Sequence, residues 1–543
     1  MSAQLPVPPM TFYRWGTPDE AKPLNPGIRR LLRTVFATDP SEPHDVSPAD
    51  IKLSPCQVTP ADVAEFTAIV GPNFVSTAKE HRLPRARGKS YPDLLDWRSG
   101  APIDAPDAVV APATEAEVLS ILQYCTQEGI AVVPFGGGTS VVGGLTPVRG
   151  KHRAVISLDV ARFNQLEDVD PVSGLATLGA GMFGPQAEMA LAEHNLQLGH
   201  FPQSFPYGTI GGYAATRSSG QSSAGYGRFD EMVRALTVVT PTGILEVGGN
   251  APASAAGPDF KDVFLGSEGT LGVITKVRCR VHPIPESKRY EAFRFPNFAA
   301  GSAAVRQATQ QQTGATVIRL SDEIESSLNL SSGNKIGGSG GAAASGGCLC
   351  ITLCEGTAEH AASRHAETRA AMLAAGGTSL GDGPARAWEQ GRFSAPVVRD
   401  ALLDADILCE TLETATDWNN VANLKLAVSR ALATSLTKSG TMAVVMCHIS
   451  HVYQTGCSLY FTVVANQSQQ PHQQWADAKR AACEAIVAHG GTITHHHAVG
   501  TDHLAYMQSE ISPLGTDLLK ALKNTLDPEG ILNPGKLIPE AAS

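Results

Sequence analysis

Residues 134–140 read PFGGGTS and begin on the last two residues of the β-forming run IAVVPF. Three consecutive glycines at the end of a strand allow positive φ and close approach of the backbone to a ligand, so that successive N–H groups can point at an anion such as a diphosphate. A glycine-rich turn with no ligand would read the same way. The segment is not a Walker A loop, since Gly-Lys-Ser/Thr is missing, and it lacks the following helix and glycine spacing of the Rossmann fingerprint. Upstream, Thr114-x-x-Glu117 reads as a capping box, and Val118, Ile121, Leu122 and Cys125 recur at helical spacing. The unit is therefore helix, strand, ligand-sized loop.

A chain of 543 residues exceeds the roughly 250–300 residues that one core sustains, so at least two domains are expected. The 53 glycines and 36 prolines suit many short strands and turns better than a helical bundle. A net charge of −10 gives no field favouring phosphate backbones, which argues against nucleic acid as a partner. The one basic cluster, HRLPRARGK from His81 to Lys89, reads as a solvated loop, with an anion contact as the other reading. The start of the chain has neither a basic n-region nor an apolar h-region, and no apolar run approaches the ~18 residues of a spanning helix. The ten cysteines are scattered, which fits a reducing, cytoplasmic setting. Cys348, Cys350 and Cys354 read as small core residues.

Residues 1–101 look like an irregular N-terminal extension with a few helices. Short β-runs such as AVISLDV and ALTVVTPTGILEV predict several small sheets over 102–286. Strand, helix and strand recur over 287–500, predicting a second α+β domain on one sheet. A terminal segment, 501–543, is expected to return to the first domain. Within the second domain, Ser331 to Gly347 holds seven glycines in seventeen residues and reads as a mobile loop or lid.

Three more segments join the first glycine loop: HFPQSFPYGTIGGYAATRSSG from His200, FLGSEGTLGVITKV from Phe264, and LDPEGILNPGKL from Leu526. In this order and spacing they resemble the FAD-binding domain of the vanillyl-alcohol oxidase and D-lactate dehydrogenase superfamily. The resemblance implies an α+β fold: a two-subdomain FAD-binding domain plus an α+β cap (substrate) domain over one antiparallel sheet. It implies FAD contacts at Pro134, Phe135, Gly136, Gly137, Gly138, Thr139 and Ser140 in the first loop. Gln203, Ser204, Thr209, Gly212, Thr216, Arg217, Ser218 and Ser219 follow in the second segment, and Glu268, Gly269, Thr270, Leu271, Gly272, Val273 and Ile274 in the third. Thr139 stands where many members carry a flavin-linked histidine, so the FAD is expected to be non-covalent.

The stretch CHISHVYQTGCSLYFTVV reads as a β-hairpin with Tyr460 on the face of Ser458 and Thr462. Tyr460 alone could be an aromatic packed on a sheet. The later run GGTITHHHAVG places His495, His496 and His497 side by side, open to proton relay, metal binding or neither; on an extended chain His495 and His497 would share a face and His496 would not. Together with FYRWG, RARGKSYPDLL, FPNFAAG, VIRLSDE and VVRDALLDADILCETLET, these segments resemble the alkyl-dihydroxyacetonephosphate synthase family over nearly the whole chain. The resemblance implies catalytic roles for Tyr460, His495, His496 and His497, and substrate-binding roles for Arg399 and Arg319. It implies exchange of the acyl group of acyl-dihydroxyacetone phosphate for a long-chain alcohol through a flavin N5 adduct, in ether-lipid synthesis.

A phenol near pKa 10 and imidazoles near neutrality suit proton transfer, and guanidinium suits phosphate. No metal is expected. The implied partners are a lipid phosphate and a fatty alcohol, with peripheral membrane contact compatible with them, and a homodimer is expected. Three positions depart from the family pattern: Ala498 replaces a glycine, Thr501 a lysine, and His448 an arginine. The competing readings are an FAD-linked dehydrogenase of a D-2-hydroxy acid and a catalytically idle flavin-binding protein.

Overall fold

Four sheets carry the chain, of which the computed structural model describes residues 5–21, 24, 26–38, 44–328, 346–438 and 440–539. The first contains β1 (Val75–Ser76), β2 (Ala108–Val110), β3 (Ile130–Phe135) and β4 (Ala154–Asp159), in the order β1-β2-β4-β3. β2 and β3 run parallel to β4, and β1 closes the edge antiparallel. β2 and β3 flank β4, and the helix Glu115–Glu128 carries the chain across from one to the other. The Thr114 hydroxyl accepts the Glu117 N–H at 3.2 Å and the Glu117 carboxylate accepts the Ala113 N–H at 2.6 Å. Gly129, at φ 64, ends the helix. Val118, Ile121, Leu122 and Cys125 pack on Val132, Ile156 and Leu158, so the glycine loop leaves β3 from a rigid base.

The second sheet follows: β5 (Leu166–Asp170), β6 (Leu175–Gly179), then a short β7 (Leu196–Gln197), β8 (Val233–Thr240), β9 (Gly243–Val247) and β10 (Val273–Arg280). Its order is β5-β6-β10-β8-β9, all antiparallel, while β7 pairs with β11 (His282–Pro283) as a separate ribbon.

The largest sheet has seven strands: β12 (Ser287–Phe295), β13 (Val317–Ser321), β14 (Cys348–Gly356), β15 (Thr378–Ser379), β16 (Ile407–Asp417), β17 (Ala443–Ile449) and β18 (Gly456–Asn466). Every neighbour in the order β15-β12-β14-β13-β17-β18-β16 is antiparallel. The expected hairpin is β17 and β18. Period-two alternation divides its faces: Leu459, Phe461 and Val463 enter a core with helices Phe298–Gln310, Ala358–Ala374, Val421–Lys438 and Pro471–Ala488, whereas Tyr460, Thr462 and Val464 line a cavity. The α+β class and the single antiparallel sheet match the sequence reading. Cys348, Cys350 and Cys354 are buried free thiols of the core.

The basic cluster corrects an expectation. Arg82, Arg85 and Lys89 are buried rather than solvated. Arg85 pairs with Asp159 at 2.5 Å, Arg82 donates to the Pro106 carbonyl at 2.6 Å, and Lys89 Nζ donates to the carbonyls of Thr11 and Phe12 at 2.8 and 3.0 Å. Buried cations need fixed acceptors, and these tie the N-terminal residues to the rest of the chain. The segment Leu24–Phe36 likewise packs Leu24, Ile28, Leu32 and Phe36 on Leu402, Ile407, Met446 and Val464.

At the other end, the Val132 N–H donates to the Ile531 carbonyl at 2.8 Å and the Asn533 N–H to the Val132 carbonyl at 2.8 Å, so the C-terminal residues add to β3. Of the expected lid, residues 331–345 lie outside the described residues. Among the described residues no helix is long and apolar enough to cross a membrane.

Candidate active site

The glycine segments meet too closely for side chains. A Cβ on Gly137 would lie 1.9 Å from the Tyr207 carbonyl oxygen, one on Gly136 2.4 Å from Thr209 Oγ1, and one on Gly269 2.8 Å from Pro134 Cγ. Thr209 caps the helix Ile210–Ala215 through the Gly212 N–H, and Glu268 sits at φ 52. These turns enclose one side of a cavity of about 390 Å³.

All seven residues Pro134 to Ser140 line it, as do Gln203, Ser204, Thr209, Gly212, Thr216, Ser218, Ser219, Glu268, Gly269, Gly272, Val273 and Ile274. Three residues of the expected cofactor set do not. Leu271 is fully buried in the core of the second sheet, the Thr270 hydroxyl turns back to the Ser267 carbonyl at 2.7 Å, and Arg217 reaches outward to Asp230 at 3.7 Å. Gln203 Nε2, Ser219 Oγ and Asn533 Oδ1 belong to cavity-lining residues, yet are buried without a hydrogen-bond partner. Such groups are costly unless a ligand satisfies them. Unmet polar atoms in a cavity that Phe135, Leu145, Val160 and Ile274 also line fit a ligand with both polar and apolar parts.

The opposite wall comes from the seven-stranded sheet. Tyr460 on β18 is in register with His448 on β17 and Glu413 on β16, and directly paired residues share a face. The Tyr460 ring stacks on His448 at 4.9 Å and on His496 at 5.9 Å, and meets His497 edge-on at 5.5 Å. Its hydroxyl donates to Thr411 Oγ1 at 3.0 Å. Burial raises the phenol above its ordinary value, so it stays protonated.

The histidine run is bent, not extended. Glu413 accepts the N–H groups of His495, His496 and His497 at 2.6, 3.0 and 2.8 Å and the Thr494 hydroxyl at 2.8 Å. Burial opposes the Glu413 charge, but the adjoining imidazoles, in the acid range where they are protonated, and these donors outweigh it and hold the carboxyl well below its usual range. Behind the run, Glu268 accepts the Gly500 N–H at 2.9 Å and the Val499 N–H at 3.2 Å. Burial pushes the Glu268 carboxyl up to about 7. The Thr501 N–H donates to the Val142 carbonyl at 2.9 Å. The run is thus pinned between the cap sheet and the glycine turns.

Ala498, where a glycine was expected, retains a left-handed φ of 74. His496 and His497 line the cavity, while His495 does not: its Nε2 is 2.5 Å from the Tyr453 hydroxyl and its Nδ1 2.9 Å from His496 Nδ1. Burial lowers all three imidazoles, His497 to about 3, so they are neutral. The pairing of His495 with His497 that an extended chain would give is replaced by another: ring nitrogens of His451, His495 and His496 lie within 4.8 Å of one another.

Both expected arginines line the cavity, and both are engaged. Arg319 pairs with Glu325 at 2.6 Å and approaches His448 Nε2 at 2.9 Å, with His448 also 3.0 Å from Glu325. Arg399 donates to the Lys89 carbonyl at 2.6 Å and pairs with Asp400 at 3.0 Å. Sequence reasoning gave no role to Glu413, Glu325, Thr411, His451 or Tyr453. The acidic residues lay inside quoted stretches, CETLET and beside VIRLSDE, without a spacing that marks a partner.

Residues 106–248 match the family described as FAD binding domain, and residues 284–537 match FAD linked oxidases, C-terminal domain. The chain is 31% identical to alkyldihydroxyacetonephosphate synthase of Trypanosoma brucei brucei, over 91% of this chain and 83% of that one. A solved structure of an alkyldihydroxyacetonephosphate synthase superposes with a TM-score of 0.83 at 28% identity, over 97% of this chain and 99% of the other. p-Cresol methylhydroxylase shares the fold at TM-score 0.68 and 16% identity, over 89% of this chain and 98% of that one. FAD is therefore the cofactor that the glycine turns and their unmet polar groups fit. The chain belongs to the alkyldihydroxyacetonephosphate synthase family of FAD-dependent enzymes.

Proposed function

We propose that the chain exchanges the acyl group of an acyl-dihydroxyacetone phosphate for a long-chain alcohol, on an FAD held without a covalent bond. The observation that carries this reading is the grouping of protonated Tyr460 with neutral His496 and His497 on one cavity wall, while Trp15, Val398, Leu402, Cys409 and Val464 line the same cavity with apolar surface. The apolar part suits an alkyl chain. Bound FAD supplies the nucleophile for the exchange.

The protein's part is to hold and move protons. A neutral imidazole at His496 or His497 accepts the proton of the incoming alcohol. Tyr460, kept protonated by burial, donates a hydrogen bond to the departing carboxylate, which leaves as the anion. Glu413 orients both imidazoles through the backbone, and His495 is fixed by Tyr453. Thr139 and its neighbours in the first glycine loop offer neither imidazole nor thiol, which supports a dissociable FAD. In this reading residues 102–286 with 501–543 hold the cofactor, 287–500 hold the substrate, and 1–101 brace the two. Release of fatty acid from acyl-dihydroxyacetone phosphate only when an alcohol is present tests the proposal; release that ignores the alcohol rules it out.

One observation favours a second reading, oxidation of a D-2-hydroxy acid. His448 and Thr501 stand where cations were expected, and fewer fixed charges suit a carboxylate better than a phosphate dianion. Anaerobic bleaching of the flavin by D-lactate would support it.

A further inference from the structure

Three arginines line the cavity among the described residues, and only Arg392 has no direct carboxylate partner. Arg319 is neutralised by Glu325 and Arg399 by Asp400. Arg392 makes no side-chain hydrogen bond and no ion pair among the described residues. The carboxylates whose fields reach it, Glu389, Glu355 and Glu188, balance part of its charge from a distance but make their direct contacts to other groups. Glu389 holds Lys288 at 2.9 Å and Glu355 holds Lys288 at 3.1 Å, while Glu188 accepts the Leu198 and Gly199 N–H groups at 3.1 and 2.9 Å.

The side chain is nonetheless held in place. Its guanidinium carbon lies 4.5 Å from the Phe201 ring centre and 4.9 Å from that of Phe393, and Phe393 stacks on Phe205 at 5.4 Å. The Arg392 carbonyl accepts Gln221 Nε2 at 3.0 Å. Contact with aromatic rings covers the apolar faces of a guanidinium and leaves its edge of N–H donors for a planar or tetrahedral oxyanion.

We propose that Arg392 binds the anionic group of the substrate, a phosphate monoester or a carboxylate, in place of the two already compensated arginines. This rests on the reading of the cavity as a substrate site, but not on which of the two reactions occurs there. A fixed, partly desolvated and unpaired guanidinium is the arrangement that gains most from an incoming oxyanion.

The test compares FAD-loaded wild type with Arg392→Gln and Arg392→Lys. The probes are acyl-dihydroxyacetone phosphate, its dephosphorylated acyl-dihydroxyacetone, inorganic phosphate and D-lactate. Flavin absorbance and melting temperature should match the wild type in both variants. Arg392→Gln should raise KM or Kd for the phosphate ester and for inorganic phosphate at least tenfold with little change in kcat, leave the dephosphorylated ester unaffected, and be partly rescued by lysine. If the exchange reaction fails in the wild type but D-lactate perturbs the flavin, the same tenfold loss for D-lactate sustains the anion site while the exchange reading falls. Equal binding of all anions by wild type and Arg392→Gln, or no anion binding by the wild type, overturns it.

Discussion

Glu413 and Tyr460 are paired across β16 and β18, so the carboxylate that holds the histidine run and the phenol that faces it leave the sheet side by side. Through that carboxylate the strand register sets the position of His496 and His497. Glu413→Gln puts an amide N–H₂ against backbone donors, and each buried donor left unmet costs about 1–3 kcal/mol. The variant is expected to lose turnover at least about a hundredfold while staying yellow. Steady-state kinetics with a visible spectrum check it, and unchanged turnover would show that the clamp does not position the imidazoles.

Tyr460→Phe keeps the stacking on His448 and His496 and removes only the hydroxyl that meets Thr411. The expected outcome is a fall in kcat of about 10²–10³-fold, the range for a lost hydrogen-bond donor to developing negative charge, with KM within about twofold. A large rise in KM at constant kcat would instead make Tyr460 a binding residue.

The histidines predict a pH dependence of stability with a defined sign. His497 has its pKa lowered by burial to about 3, while an unfolded histidine titrates near 6.5. The unfolded state then binds the extra proton between these values, so stability is full above about pH 6.5 and declines as pH falls toward 3, by up to about 1.4 kcal/mol per pH unit for one such group. Melting curves from pH 7.5 to 5 should show the wild type losing more stability than His497→Gln. Parallel curves would mean that the imidazole is hydrated and titrates normally.

Much of this was legible because it is periodic or local. Alternation along 457–464 separated Tyr460 from Phe461, and a capping box marked the helix that supports the glycine loop. The rest depends on pairings that sequence distance hides. Glu413 meets His495 across 82 positions and Glu268 meets Gly500 across 232. The basic run around Arg85 resembles any solvated cluster until Asp159 and the carbonyls of Thr11 and Phe12 are brought to it. The bend at Ala498 had a single hint, the glycine that the family pattern carries there, and the φ of 74 shows that alanine has taken that glycine's conformation.

That bend gives a further expectation. Ala498→Gly relieves left-handed strain of about 1 kcal/mol and should be active with equal or higher stability, offset in part by unfolded-state entropy. Ala498→Val places a β-branched residue at positive φ and should lower the melting temperature and misplace His497. Equal behaviour of the two variants in thermal melts and kinetics would contradict the strained turn.

Gly137→Ala tests the cofactor cradle. Its methyl would meet the Tyr207 carbonyl, a backbone atom with little freedom to retreat. The expected protein is folded by circular dichroism but colourless or weakly loaded with FAD; a fully yellow variant would mean that the loops do not hold the flavin as described.

The most direct measurement uses the purified yellow protein with acyl-dihydroxyacetone phosphate and a labelled long-chain alcohol, following both fatty acid release and label in an ether product. The account predicts that both appear together, only with the alcohol present, and that both fall together by about 10²–10³-fold in Tyr460→Phe. Anaerobic bleaching by D-lactate, with no labelled ether under any condition, would contradict it.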